Sequence, residues 1–119
     1  MAANVALLSD MSDKLADYCR NDFKLDDREI SSEEMGEFYY AFNKANAFSS
    51  STPRESSRAS HRDFIAMLNA YEHFAHAADG YRLSGKADPA VLASLISQHD
   101  RVKHLAGKVT EDLRGEARK

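Results

Sequence analysis

Residues 60–80 read Ser-His-Arg-Asp-Phe-Ile-Ala-Met-Leu-Asn-Ala-Tyr-Glu-His-Phe-Ala-His-Ala-Ala-Asp-Gly, and their periodicity decides the fold. At 100° per residue, Phe64, Met67, Leu68, Tyr71, Phe74, Ala75 and Ala78 fall on one broad arc. Ala66, Ala70 and Ala77 form a narrow strip beside it, and Arg62, Asn69, Glu72, His73, His76 and Asp79 make a polar side. This is a helix with a bulky face for a core and a small-residue face that a neighbouring helix can approach closely. Gly80 is expected to stop it in the left-handed conformation.

Upstream, residues 49–60 form a low-complexity connection of serines and arginines. Within it, Thr52-Pro53-Arg54-Glu55 has the order of a helix start, so the central helix is expected to begin near Pro53, with a start after Ser60 as the alternative. Ser31-Ser32-Glu33-Glu34 is a capping box that opens an earlier helix, on which Met35, Phe38, Tyr39, Phe42 and Ala45 share a face. Tyr40 lies on the opposite side as an exposed aromatic. Residues 23–31 break the period, and Phe23, Leu25 and Ile30 are expected to tuck a loop against the core. A first helix over residues 4–22 carries Leu8, Met11, Leu15 and Tyr18, with Cys19 as a small core filler.

Downstream, Tyr81 and Leu83 are expected to anchor a connection, and Asp88-Pro89 restarts a helix with cap and proline in order. Leu92, Leu95, His99, Val102, Ala106, Val109 and Leu113 then follow heptad spacing over roughly 25 residues, about 38 Å of helix. Gly107 weakens this helix and Gly115 is expected to end it. For so small a domain the helix is long, so its turns past Ala106 are expected to project, leaving Val109 and Leu113 as an exposed seam. With no strand-like alternation and no hairpin turn signal, the fold class is all-α: a four-helix bundle-like single domain over residues 1–119 with a long C-terminal helix.

Composition bounds the function. The chain has 119 residues, 43% of them hydrophobic, and a net charge of −3, which supports a compact core and argues against a general nucleic-acid binder. An acidic stretch (Asp26, Asp27, Glu29, Glu33, Glu34, Glu37) contrasts with a basic end (Arg101, Lys103, Lys108, Arg114, Arg118, Lys119) and reads as solvated helix faces. The single cysteine points to a reducing, cytoplasmic setting. The opening apolar run ends at Ser9-Asp10, too short for a signal peptide or membrane span.

For chemistry, Glu72, His73 and His76 are the best metal candidates, at helical spacings that let pairs share an ion, with His99 as a conceivable third ligand. The glutamate-x-x-histidine repeat of carboxylate-bridged bundles is missing, so neither a metal nor a cofactor is assigned. His99, on an apolar face, reads as a hydrogen-bonded, partly buried residue. Arg54 and His61, with six residues between them, resemble the arginine–histidine motif of HEPN-type ribonucleases, which would imply acid–base cleavage of RNA. No nucleophile elbow, phosphate-binding loop or paired catalytic carboxylate supports another enzyme class.

Leu68-Asn69-Ala70-Tyr71-Glu72 with Ala75, followed by Gly85, Asp88, Leu92 and Ile96, resembles the central pattern of a family of small bacterial helical proteins of unknown function. The resemblance spans residues 64–105, supplies no site residues and implies a bacterial or phage origin. The expected function is a non-catalytic protein–protein interaction protein, an adapter, oligomeric subunit or inhibitor, with a protein partner or a second copy and no membrane. Its expected contact residues are Tyr40, the strip Ala66, Ala70 and Ala77, and the seam Val102, Ala106, Val109 and Leu113. A metal-binding helical protein or a HEPN-like ribonuclease is the alternative.

Overall fold

The computed structural model describes residues 1–50, 58–84 and 88–118. Four helices, α1 (Ala2–Arg20), α2 (Ser32–Ser50), α3 (Ala59–Leu83) and α4 (Pro89–Ala117), pack against one another, and a two-stranded ribbon, β1 (Lys24–Leu25) and β2 (Arg28–Glu29), joins the first two. Cross-helix contacts set the topology. Lys14 reaches Glu37 and the Tyr18 ring meets Phe38; Tyr71 meets Phe38 and Phe48 meets Phe64; Phe74 meets His99 and Ser60 meets Glu116; Asp13 meets His99. Partners run in opposite chain order between α2 and α3, between α3 and α4, and between α1 and α4, where Ser9 meets Lys103 and Asp13 meets His99, so the helices go up, down, up and down with α1 closing against α4.

The core is the arc read from α3 together with its facing residues. Phe64, Met67, Tyr71, Phe74, Ala75 and Ala78 are fully enclosed, with Phe38 and Met35 from α2, Leu8 and Leu15 from α1, and Leu95, Val102 and Val109 from α4. Each such large side chain contributes roughly 1.5–3 kcal/mol by leaving water. Cys19 is also fully buried, as expected of a core filler, and burial pushes its thiol up to about 12. Ser12 is buried as well, its hydroxyl donating to the Leu8 carbonyl at 2.7 Å within α1.

Local chemistry explains the boundaries. Ser31 Oγ accepts from the Glu34 amide at 3.2 Å while Glu34 Oε1 accepts from the Ser31 amide at 3.0 Å, the two halves of the expected capping box. The Arg28 guanidinium grips the same carboxylate at 2.6 and 3.1 Å, and with the Ser31 amide it holds Glu34 down to about 2. At the start of α4, Asp88 accepts from the Ala90 amide at 2.9 Å ahead of Pro89.

Several expectations are corrected. Gly80 does not stop α3, which continues to Leu83: Tyr81 is buried beside Phe23, and this core contact carries the helix on through the glycine. Gly115 likewise lies inside α4. The expected start at Thr52-Pro53 lies outside the described residues; α3 begins at Ala59, after an extended Arg58 (φ −73°, ψ 146°). Leu83 is 71% exposed and anchors nothing. Between α1 and α2, Phe23 and Ile30 are buried as expected, but Leu25 is exposed on an unforeseen hairpin that turns at Asp26-Asp27. Asp22, Phe23 and Asp26 all have positive φ, near 55°.

Candidate functional site

The heptad seam is spent inside the bundle. Val102 and Val109 are completely buried, Ala106 is 7% exposed, and Leu113 is packed against the core, so Val109 is not the exposed seam residue expected from sequence. The reason is that α3 extends nearly as far as α4. Glu116, in the last turn of α4, accepts from both the amide (3.2 Å) and the hydroxyl (2.7 Å) of Ser60, satisfying a free N–H in the first turn of α3. Lys108 adds an ion pair to Asp63 at 3.5 Å. The final turns of α4 are therefore fastened, not projecting.

On its other side, α4 forms a shallow groove of about 690 Å³ with the first half of α1, floored by Val5, Ala6, Ala106 and Leu113. Lys103 spans its edge, donating to Ser9 and to Asp13 (3.1 Å). Burial alone would raise Asp13, but hydrogen bonds from His99 and Lys103 outweigh it and hold the carboxyl below its ordinary value.

Tyr40 stands over a second groove, about 380 Å³, between α1 and α2. The ring is 71% exposed, the highest exposure of any aromatic among the described residues, and its neighbours are Leu7, Met11, Gly36 and Ala41. Glu37, held by Lys14 at 3.1 Å, and Lys44 supply the charged rim. Here a heptad-like apolar edge from α1 meets the back of α2. Sequence reading singled out Tyr40 alone, because Leu7 and Met11 sit at the margin of the core face of α1.

The alanine strip of α3 divides. Ala66 and Ala70 line a third groove, about 340 Å³, against Gln98 and Arg101 of α4, with Asn69 and His73 above them. Ala77 is packed at the core margin and is not part of that groove. Gln98 and Arg101 flank the heptad seam instead of lying on it, so the spacing does not point to them, and Arg101 reads from sequence only as part of the basic end.

The histidines do not converge. His73 lines the groove against α4, whereas His76 lies against the Tyr39 ring of α2, 5.1 Å between centroids, so the two imidazoles have different neighbours despite their helical spacing. His99, the third ligand considered, is 2.8 Å from Asp13, with its ring tilted 41° to that of Phe74 at 6.0 Å between centroids. Among the described residues no group of three or more histidine, cysteine or acidic side chains could hold a metal ion. For the ribonuclease pattern, Arg54 lies outside the described residues, and His61 is 8% exposed with an unpartnered Nδ1.

The proximity of Asp63 and Asp112 lowers the first carboxyl and raises the second. Neither residue lines any of the three grooves, and with Lys108 the pair acts as a tie between α3 and α4.

Compared with protein-family models, curated proteins and solved structures, the chain has no match. The resemblance over residues 64–105 therefore rests on its sequence pattern alone. No described helix is long and apolar enough to cross a membrane.

Proposed function

We propose that this chain is a non-catalytic protein–protein interaction module that receives an amphipathic helix of a partner protein along the α1/α2 groove. The observation that carries the reading is Tyr40, an aromatic ring 71% exposed above a largely apolar groove edge of Leu7, Met11 and Ala41. Tyrosine offers large, stiff contact area with a polar tip, the side-chain type that dominates binding energy at protein interfaces. Gly36 and Ala41 keep the groove floor low, which lets a third helix settle between two antiparallel ones at the usual separation of about 8–10 Å. Glu37 and Lys44 then give the visitor a charged rim that fixes its register. Such a module serves as an adapter, a subunit or an inhibitor.

The test is affinity capture from lysate of the source cell with the wild-type chain and with Tyr40→Ala and Met11→Glu. Tyr40 is exposed, so Tyr40→Ala keeps the wild-type melting temperature, whereas Met11 is partly buried against the core and Met11→Glu is expected to cost about 1 kcal/mol while remaining folded. The captured protein is expected to bind Tyr40→Ala at least ~30-fold more weakly, the loss of a hot-spot side chain worth about 2 kcal/mol. Equal capture by both variants would remove the groove from the reading.

A further inference from the structure

We infer that the α3/α4 groove is a binding site for a small carboxylate. Its floor is Ala66 and Ala70, and its walls are Asn69, His73, Gln98 and Arg101, so every polar group lining it can donate a hydrogen bond and none is acidic. Arg101 has no ion-pair partner among the described residues. The positions three and four away on its helix are Ser97, Gln98, His104 and Leu105, so the sequence supplies no helical carboxylate for it. Glu72 and Asp100 are adjacent in sequence to His73 and Arg101, but neither lines the groove. Asn69 and His73 likewise have no hydrogen-bond partner among the described residues.

Gln98 adds a separate observation. Its Nε2 donates to Ser94 Oγ at 3.3 Å, and its Oε1 is enclosed with no partner. The N–H2 group carries a second hydrogen beyond the Ser94 bond, which is left for an acceptor in the groove. A carboxylate suits the set because its two oxygens match the flat guanidinium fork two for two, leaving further lone pairs for the Asn69 and Gln98 amides and the His73 N–H. At about 340 Å³ the groove has room for a molecule of a few carbons, and it shares no lining residue with the groove at Tyr40, so the two sites are distinct.

The experiment is a nuclear magnetic resonance titration of the isotope-labelled full chain with sodium succinate, against sodium chloride at equal ionic strength and, separately, inorganic phosphate. Succinate is expected to give saturable shifts confined to residues 66–73 and 98–101, with Kd on the order of 1 mM. Arg101→Lys, which keeps the charge and removes the fork, is expected to bind at least ~10-fold more weakly with an unchanged melting temperature. The assignment is overturned by the absence of saturable shifts, by equal affinity in Arg101→Lys, or by phosphate binding more tightly than succinate.

Discussion

His99 Nε2 of α4 lies 2.8 Å from Asp13 Oδ1 of α1, and Lys103 Nζ holds the other oxygen of the same carboxylate at 3.1 Å. One acidic side chain thus latches the first helix to the last through two successive turns of α4. The folded-state value of Asp13 lies below its ordinary 3.8, so the latch is complete above that pH and is lost as pH falls through the folded value. The side chain is 49% exposed, which limits the contribution to about 1 kcal/mol or less. Thermal melts from neutral to acidic pH are expected to show Asp13→Asn below wild type near pH 7, with the two curves meeting at the acidic end.

Tyr71 is fully buried and its hydroxyl donates to the Phe38 carbonyl at 2.7 Å, joining α3 to the backbone of α2. Tyr71→Phe keeps the ring and removes the bond. Urea unfolding is expected to show a loss of about 1 kcal/mol with an unchanged m-value. A loss near zero would mean that the carbonyl is fully satisfied by its own helix.

Gly80 and Gly107 both lie inside helices, and a Cβ built on either meets nothing within 4 Å. Alanine at each position is expected to stabilise by about 0.5–1 kcal/mol, because the unfolded chain loses freedom and no neighbour is displaced. Differential scanning calorimetry of the two single variants and the double variant checks this. The double variant is expected to be additive, since the sites are far apart along the bundle.

Val109 and Leu113 are one helical turn apart but differ in kind. Val109→Glu places a charge in the closed core and is expected to cost at least ~3 kcal/mol, whereas Leu113→Glu, at the groove margin, is expected to cost about 1 kcal/mol. Circular dichroism melts separate these outcomes. Equal, small losses would restore the idea of a projecting helix end.

What was legible in the sequence follows from the range of the interactions involved. Capping at Ser31–Glu34 and Asp88–Pro89 is local, and the apolar arc from Phe64 to Ala78 repeats often enough to define a face, so helix number, order and core were readable. The stop assigned to Gly80 failed because a core contact one residue later, Tyr81 with Phe23, outweighs the intrinsic cost of glycine in a helix. The seam of α4 was misplaced because its fastening depends on Ser60, 56 residues earlier. For the site, Tyr40, Ala66, Ala70 and His73 were readable as helix faces. Their partners Leu7, Met11, Gln98 and Arg101 come from other helices, and pairing across helices leaves no periodic mark in a single chain.

Phe23 has φ 56° with its ring 1% exposed. A bulky residue in the left-handed region carries backbone strain of roughly 1–3 kcal/mol, while deleting a buried phenylalanine ring costs about 3–5 kcal/mol. The ring wins, so Phe23→Gly relaxes the backbone yet lowers stability. The corner between the first two helices is thus a loaded hinge held shut by one side chain, and relief without loss is to be sought next door, where Asp26→Gly removes strain at an exposed turn.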